Sequence, residues 1–167
     1  MITAITWQEM ADQLRDEAAE YGRLLGYFES QQHHLFQQEP QEVLAMSHSI
    51  RHQSEALERL RRDRESAVAA FAYAHGRPES CTLRSLLDLM PPEAQPLFEA
   101  LIGEINRLIH RVRRAAKLNH RLLGAVVEVH QEIMRRVRPD SFTKTYSASG
   151  RVSLSTVRRL PALRTAS

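Results

Sequence analysis

The sequence predicts an all-α fold: an elongated antiparallel bundle or coiled coil of three long helices and one short helix, followed by a flexible C-terminal tail. Three observations carry this. Apolar residues recur at alternating steps of three and four over long stretches, which is the seam of packed helices rather than the alternation of a strand. Only 6% of the 167 residues are aromatic and there are six glycines, too few turn formers for a many-stranded sheet. Prolines stand between the seams, at Pro40, Pro78, Pro91, Pro92 and Pro139, where helices have to stop.

The first helix is expected to open at Thr6, which caps the run beginning at Trp7, with Glu9 as the reciprocal capping partner. Trp7, Leu14, Tyr21, Phe28 and Leu35 stand seven apart, supported by Met10 and Leu24. Glu17 and Gln31 interrupt the second row of this seam, and Pro40 ends the helix.

A second helix is expected from about Gln41 to His75. Val43, Ile50, Leu57 and Phe71 form its seven-residue row, with Leu60 and Val68 beside them and Arg64 breaking the row. Glu55 with Arg59 and Glu58 with Arg62 are four-apart pairs contributing a few tenths of a kcal/mol each, as a solvated face does. Gly76 and Pro78 close it. A short helix follows, capped by Thr82 and apolar at Leu83, Leu86, Leu87 and Met90, suited to fold over one end of the rods.

The longest element runs from about Glu93 to Arg138. Leu101, Ile105, Leu108, Val112, Ala115, Leu122, Val126, Val129 and Ile133 form its seam, broken only by Asn119. At 1.5 Å per residue it would be roughly 65–70 Å long, so its stripe requires other long helices as partners. Residues 1–139 are therefore the helical bundle. Residues 140–167 are rich in Ser, Thr and Arg, with too little periodic apolar surface for a rigid element. Five basic residues and Asp140 put +4 on this tail, leaving −1 on the remainder of a chain whose total is +3.

These features exclude several function classes. A single cysteine, Cys81, rules out an internal disulfide framework and fits a reducing cytoplasm. No apolar run reaches the length of a membrane span and the N-terminus has no signal-peptide core, so a cytoplasmic protein without membrane insertion is expected. His48 and His52 share a helical face and His33 and His34 are neighbours, but no HExxH motif or Cys pair supplies further zinc ligands. No Gly-rich phosphate loop, GxSxG elbow or nucleophile–base pair is present. Neither an enzyme nor a cofactor is expected. Arginines cluster at Arg61, Arg62 and Arg64 and at Arg111, Arg113 and Arg114 without a recognition motif or interleaved aromatics, so they read as solvated faces and not as a nucleic-acid surface.

Two residues stand outside the packing logic. Asn119 occupies a seam position, where a buried asparagine fixes register at a cost in stability; alternatively its face, with Leu118 and Leu122, is a docking surface. Tyr146, in TYSASGR, is an aromatic that no folding argument requires.

The segment LNHRLLGAVVEVHQEIMRRVRP followed by TYSASGRVSLS resembles the FlgN-type flagellar export chaperones. The likeness lies in a Leu-Asn pair with following leucines on a closing helix, then a Tyr-x-Ala-x-Gly motif, then a basic Ser/Thr-rich tail. Ser147 and Ser149 depart from the commoner wording, while Tyr146, Ala148 and Gly150 keep their spacing. The resemblance implies no enzyme and no cofactor. It implies a cytoplasmic chaperone that binds the C-terminal helical segments of the hook–filament junction proteins FlgK and FlgL and brings them to the export gate. Carried over by position, the cargo face is Leu118, Asn119, Leu122, Val126, Val129 and Ile133; Tyr146 and Gly150 are the contact to the gate component FlhA. The rival readings are a purely structural coiled-coil or oligomerisation protein and, behind it, a nucleic-acid-associated helical protein.

Overall fold

The computed structural model describes residues 6–137, 142–146 and 152–156. Its order is α1 (Trp7–Phe36), α2 (Pro40–Ala74), a 3-10 helix (Leu83–Leu89), α3 (Gln95–Val137), β1 (Phe142–Tyr146) and β2 (Val152–Thr156). The fold class is all-α, as its sequence predicts.

Each helix end follows from local chemistry. Thr6 Oγ1 accepts from the Glu9 backbone N–H while Glu9 Oε2 accepts from the Thr6 N–H, completing the expected capping box. Gly76, at φ +68°, closes α2: its N–H bonds Tyr73 O at 3.0 Å and the Arg77 N–H bonds Ala72 O at 2.9 Å, the paired bonds of a left-handed helix cap. The same pattern ends α1 without a glycine. There Gln38 takes φ 59° while the Gln38 and Glu39 N–H groups bond Leu35 O and His34 O. Pro40 therefore does not merely end α1 but occupies the first turn of α2, where its missing N–H costs nothing. The short element capped by Thr82 winds as a 3-10 helix.

The chain divides into two compact units, Met1–Leu122 and Leu123–Ser167. In the first, α1 and α2 run antiparallel, and the first part of α3 runs beside them in the direction of α1. The main core sits where the start of α1, the end of α2, the 3-10 helix and the start of α3 converge. Met10, Leu14, Phe71, Leu86 and Phe98 are buried together there. Leu83, Leu86, Leu87 and Met90 are all buried, so the 3-10 helix closes this end of the bundle. Phe98, with no exposed surface, is the kind of side chain whose burial contributes roughly 1.5–3 kcal/mol.

Further along, the seam becomes polar in layers. Arg64 Nε donates to Glu17 Oε2 at 2.6 Å. Gln53 Nε2 donates to both the backbone carbonyl and the carboxylate of Glu20. Gln31 Nε2 donates to Ser47 Oγ at 2.8 Å, and Asn119 Nδ2 to Gln31 Oε1 at 2.7 Å. The residues that interrupt the seams are thus one another's partners, which gives each buried polar side chain a hydrogen bond, although Glu17 Oε1 is left without one. α1 ends at Phe36, one turn beyond Gln31 and Gln32, which contact Asn119. The division of the chain falls within α3, after Leu122.

In the second unit, β1 and β2 pair antiparallel with Tyr146 opposite Val152 and Phe142 opposite Thr156. The sequence reading, which expected no rigid element in residues 140–167, did not anticipate this pairing. Phe142, Thr143, Thr145, Tyr146, Val152 and Thr156 are β-branched or aromatic, the types that favour extended pairing. The rest of that expectation concerns residues 140, 141, 147–151 and 157–167, outside the described residues.

Candidate functional site

The residues assigned to a docking face all lie on α3, and the structure sorts them into two kinds. Asn119 is 2% exposed. Its Nδ2 donates to Phe28 O at 3.0 Å and to Gln31 Oε1, and its Oδ1 accepts from Gln32 Nε2 at 2.6 Å. A side chain so enclosed and fully hydrogen-bonded holds register between α1 and α3 and presents no free surface, so of the two readings of Asn119 the buried one describes it. Beside it in the first unit, Leu118 is 46% exposed and Leu122 is half-buried.

In the second unit the apolar pattern continues but the burial does not. Val126, Val129 and Ile133 are exposed, and so is Val137, the next step in the same series. At 3.6 residues per turn these four span an arc of about 80°. Val127 and Met134, also exposed, widen the face, and His130 lies within it. Val127, Met134 and Val137 were missing from the sequence-based set, although Val137 stands four residues after Ile133 and Val127 and Met134 stand seven apart along one edge of the face. Large apolar side chains this exposed, adjacent on one helix, mark an interaction surface more often than a scattered surface residue does. On the polar rim Glu132 lies 3.0 Å from both Arg135 and Arg136, one carboxylate shared by two guanidinium groups.

Tyr146 is the last residue of β1, in register with Val152. Gly150 lies outside the described residues. Among the described residues, no three His, Cys, Asp or Glu side chains are placed to hold a metal ion, and no helix is long and apolar enough to cross a membrane.

The family model described as FlgN protein matches residues 1–153, which takes in all three α-helices and the Tyr-x-Ala-x-Gly motif. The chain belongs to the FlgN family. No curated protein and no solved structure matches it. Membership places the chain among the flagellar export chaperones, a family of binding proteins and not of enzymes, whose partners are flagellar proteins. An open apolar helix face is the kind of site such work requires, because a chaperone recognises its client by apolar surface and not by chemistry at a reacting atom.

Proposed function

We propose that this FlgN-family chain works in the cytoplasm, holding the C-terminal helical segments of FlgK and FlgL and delivering them to the export gate. The observation that carries the reading is the run of exposed apolar residues Val126, Val129, Ile133 and Val137 on the last four turns of α3. A cargo helix laid against this face buries apolar area from both partners, as in helix-in-groove recognition; Leu118 and Leu122, in the first unit, are proposed as further cargo contacts. Asn119 contributes by holding α3 in register with α1. Tyr146 and Gly150 are proposed as the contact to FlhA, a role that rests on their place in the Tyr-x-Ala-x-Gly motif.

Calorimetric titration with C-terminal segments of FlgK and FlgL, on the full chain and on a version ending at Pro139, tests this reading. One-to-one binding at micromolar affinity or tighter supports it. Weakening on truncation would give residues 140–167 a part in holding cargo; unchanged binding would leave the site on the helices. Absence of binding to either segment would end the assignment of these cargoes and favour a structural coiled-coil role.

A further inference from the structure

Within the second unit the seam of α3 is a strict two-row heptad. Leu123, His130 and Val137 stand seven apart, and Val126 and Ile133 stand seven apart between them. His130 is therefore a seam residue. It lies inside the open face, with Val126 and Ile133 on one side and Val127 and Met134 on the other. None of these four neighbours carries a charge. The nearest charged residues in sequence, Glu128 and Glu132, stand two positions away on either side and so on the far side of the helix. Among the described residues His130 makes no hydrogen bond and no ion pair.

The covered seams of the first unit show what a polar residue in such a position requires. Glu17 meets Arg64, Gln53 meets Glu20 and Asn119 meets Gln31, in each case a side chain of the helix lying against it. Burying a polar seam residue without such an answer costs free energy. His130 is exposed, so in the free chain its ring nitrogens are open to solvent. A helix seated on Val126, Ile133 and Val137 buries the imidazole with them, and must then supply its partner.

The charge beside the face selects that partner. Glu132 is shared by Arg135 and Arg136, so one guanidinium charge of the rim is left over. A carboxylate is drawn to this rim and accepts from an imidazole N–H, and with the protonated ring the bond is charge-assisted. An amide or a hydroxyl gains nothing from the rim, and a cation is repelled by it. We propose, resting on the cargo reading above, that His130 is the specificity residue of this face: it selects apolar helices that carry an Asp or Glu within their apolar stripe, and sets their register by bonding that carboxylate.

The test is calorimetric titration of the full chain and of its His130→Leu variant with the C-terminal segments of FlgK and FlgL. Each segment is used in its native sequence and with every Asp and Glu replaced by the amide. His130 is exposed, so the variant should keep the parent's helicity by circular dichroism. The parent should bind a native segment about tenfold more tightly than its amide version, and His130→Leu should bind the two equally. Arg135 and Arg136 remain in that variant, so discrimination that survives it undiminished belongs to the rim and would overturn the proposal. The parent's affinity for the native segment should also rise several-fold from pH 8 to pH 6, where a histidine gains its proton, and His130→Leu should lose that rise. Equal binding of native and amide segments by the parent would overturn the proposal while leaving the cargo reading in place. A parent that binds no segment would end the cargo reading, and this proposal with it.

Discussion

Arg64 Nε donates to Glu17 Oε2 at 2.6 Å, joining the two charged residues that interrupt the apolar seams of α1 and α2. The pair is asymmetric: the Glu17 side chain is 1% exposed and that of Arg64 is 23% exposed. Removing either partner therefore has different consequences. Arg64→Ala strands a buried carboxylate and should cost about 3 kcal/mol, whereas Glu17→Leu lets Arg64 reach water and fills the seam. Urea denaturation should place Glu17→Leu within about 1 kcal/mol of the parent, and Glu17→Leu with Arg64→Leu at or above it.

Asn119 is the corresponding polar residue of α3. Asn119→Ala withdraws the donor to Gln31 Oε1 and the acceptor for Gln32, leaving the buried Gln31 with an open oxygen. A loss of about 2 kcal/mol is expected. Adding Gln31→Leu to Asn119→Leu should recover most of it, since both buried polar side chains are then gone and the half-buried Gln32 can turn to water. A double-mutant cycle measured by denaturation reads the coupling directly.

How much of this was legible in the sequence can be followed residue by residue. Heptad spacing located the three long helices, and Thr6, Thr82 and Gly76 marked ends by chemistry that acts within a few residues. The breaks at Glu17, Gln31, Arg64 and Asn119 were equally visible. Their partners were not, because pairing Glu17 with Arg64 or Gln31 with Asn119 depends on register between helices far apart in the chain. Nor does periodicity distinguish a buried stripe from an exposed one: Leu108 and Val129 belong to the same α3 seam, yet the first is buried and the second is open. The pairing of β1 with β2 escaped notice because its β-branched residues are dispersed among serines and arginines.

Gln38 is the plainest case of a position that sequence reasoning passed over. Glutamine is not a turn former, yet its φ of 59° lies in the left-handed region favoured by glycine. Gln38→Gly should stabilise the fold by about 0.5–1 kcal/mol, seen as a rise in Tm. Gln38→Val should lower it, because a β-branched side chain fits that conformation least.

The N-terminal cap has a pH signature. Hydrogen bonds from the Thr6 backbone N–H and hydroxyl hold the Glu9 carboxyl below its ordinary value of 4.5. Because the folded value is depressed, the stabilisation is present above the unfolded value and is lost as pH falls through the folded one. Acid unfolding of Glu9→Gln should therefore lack the part of the transition that lies below about pH 4.5 in the parent. Thr6→Ala keeps the backbone N–H bond to Glu9, the larger part of that effect, but loses the hydroxyl that accepts from the Glu9 N–H, and should cost about 1 kcal/mol at neutral pH.

The account turns on the exposed face of α3, and one measurement tests it most directly. Val129→Asp with Ile133→Asp places two charges where apolar side chains are open to solvent, so helicity and Tm should stay close to the parent's, surface changes being worth about 0.5 kcal/mol each. Affinity for the FlgK or FlgL C-terminal segment, measured by calorimetry, should fall by about 100-fold or more, since each residue's burial contributes roughly 1.5–3 kcal/mol. A folded double variant that binds the segment as tightly as the parent would contradict the account and place the cargo elsewhere on the chain.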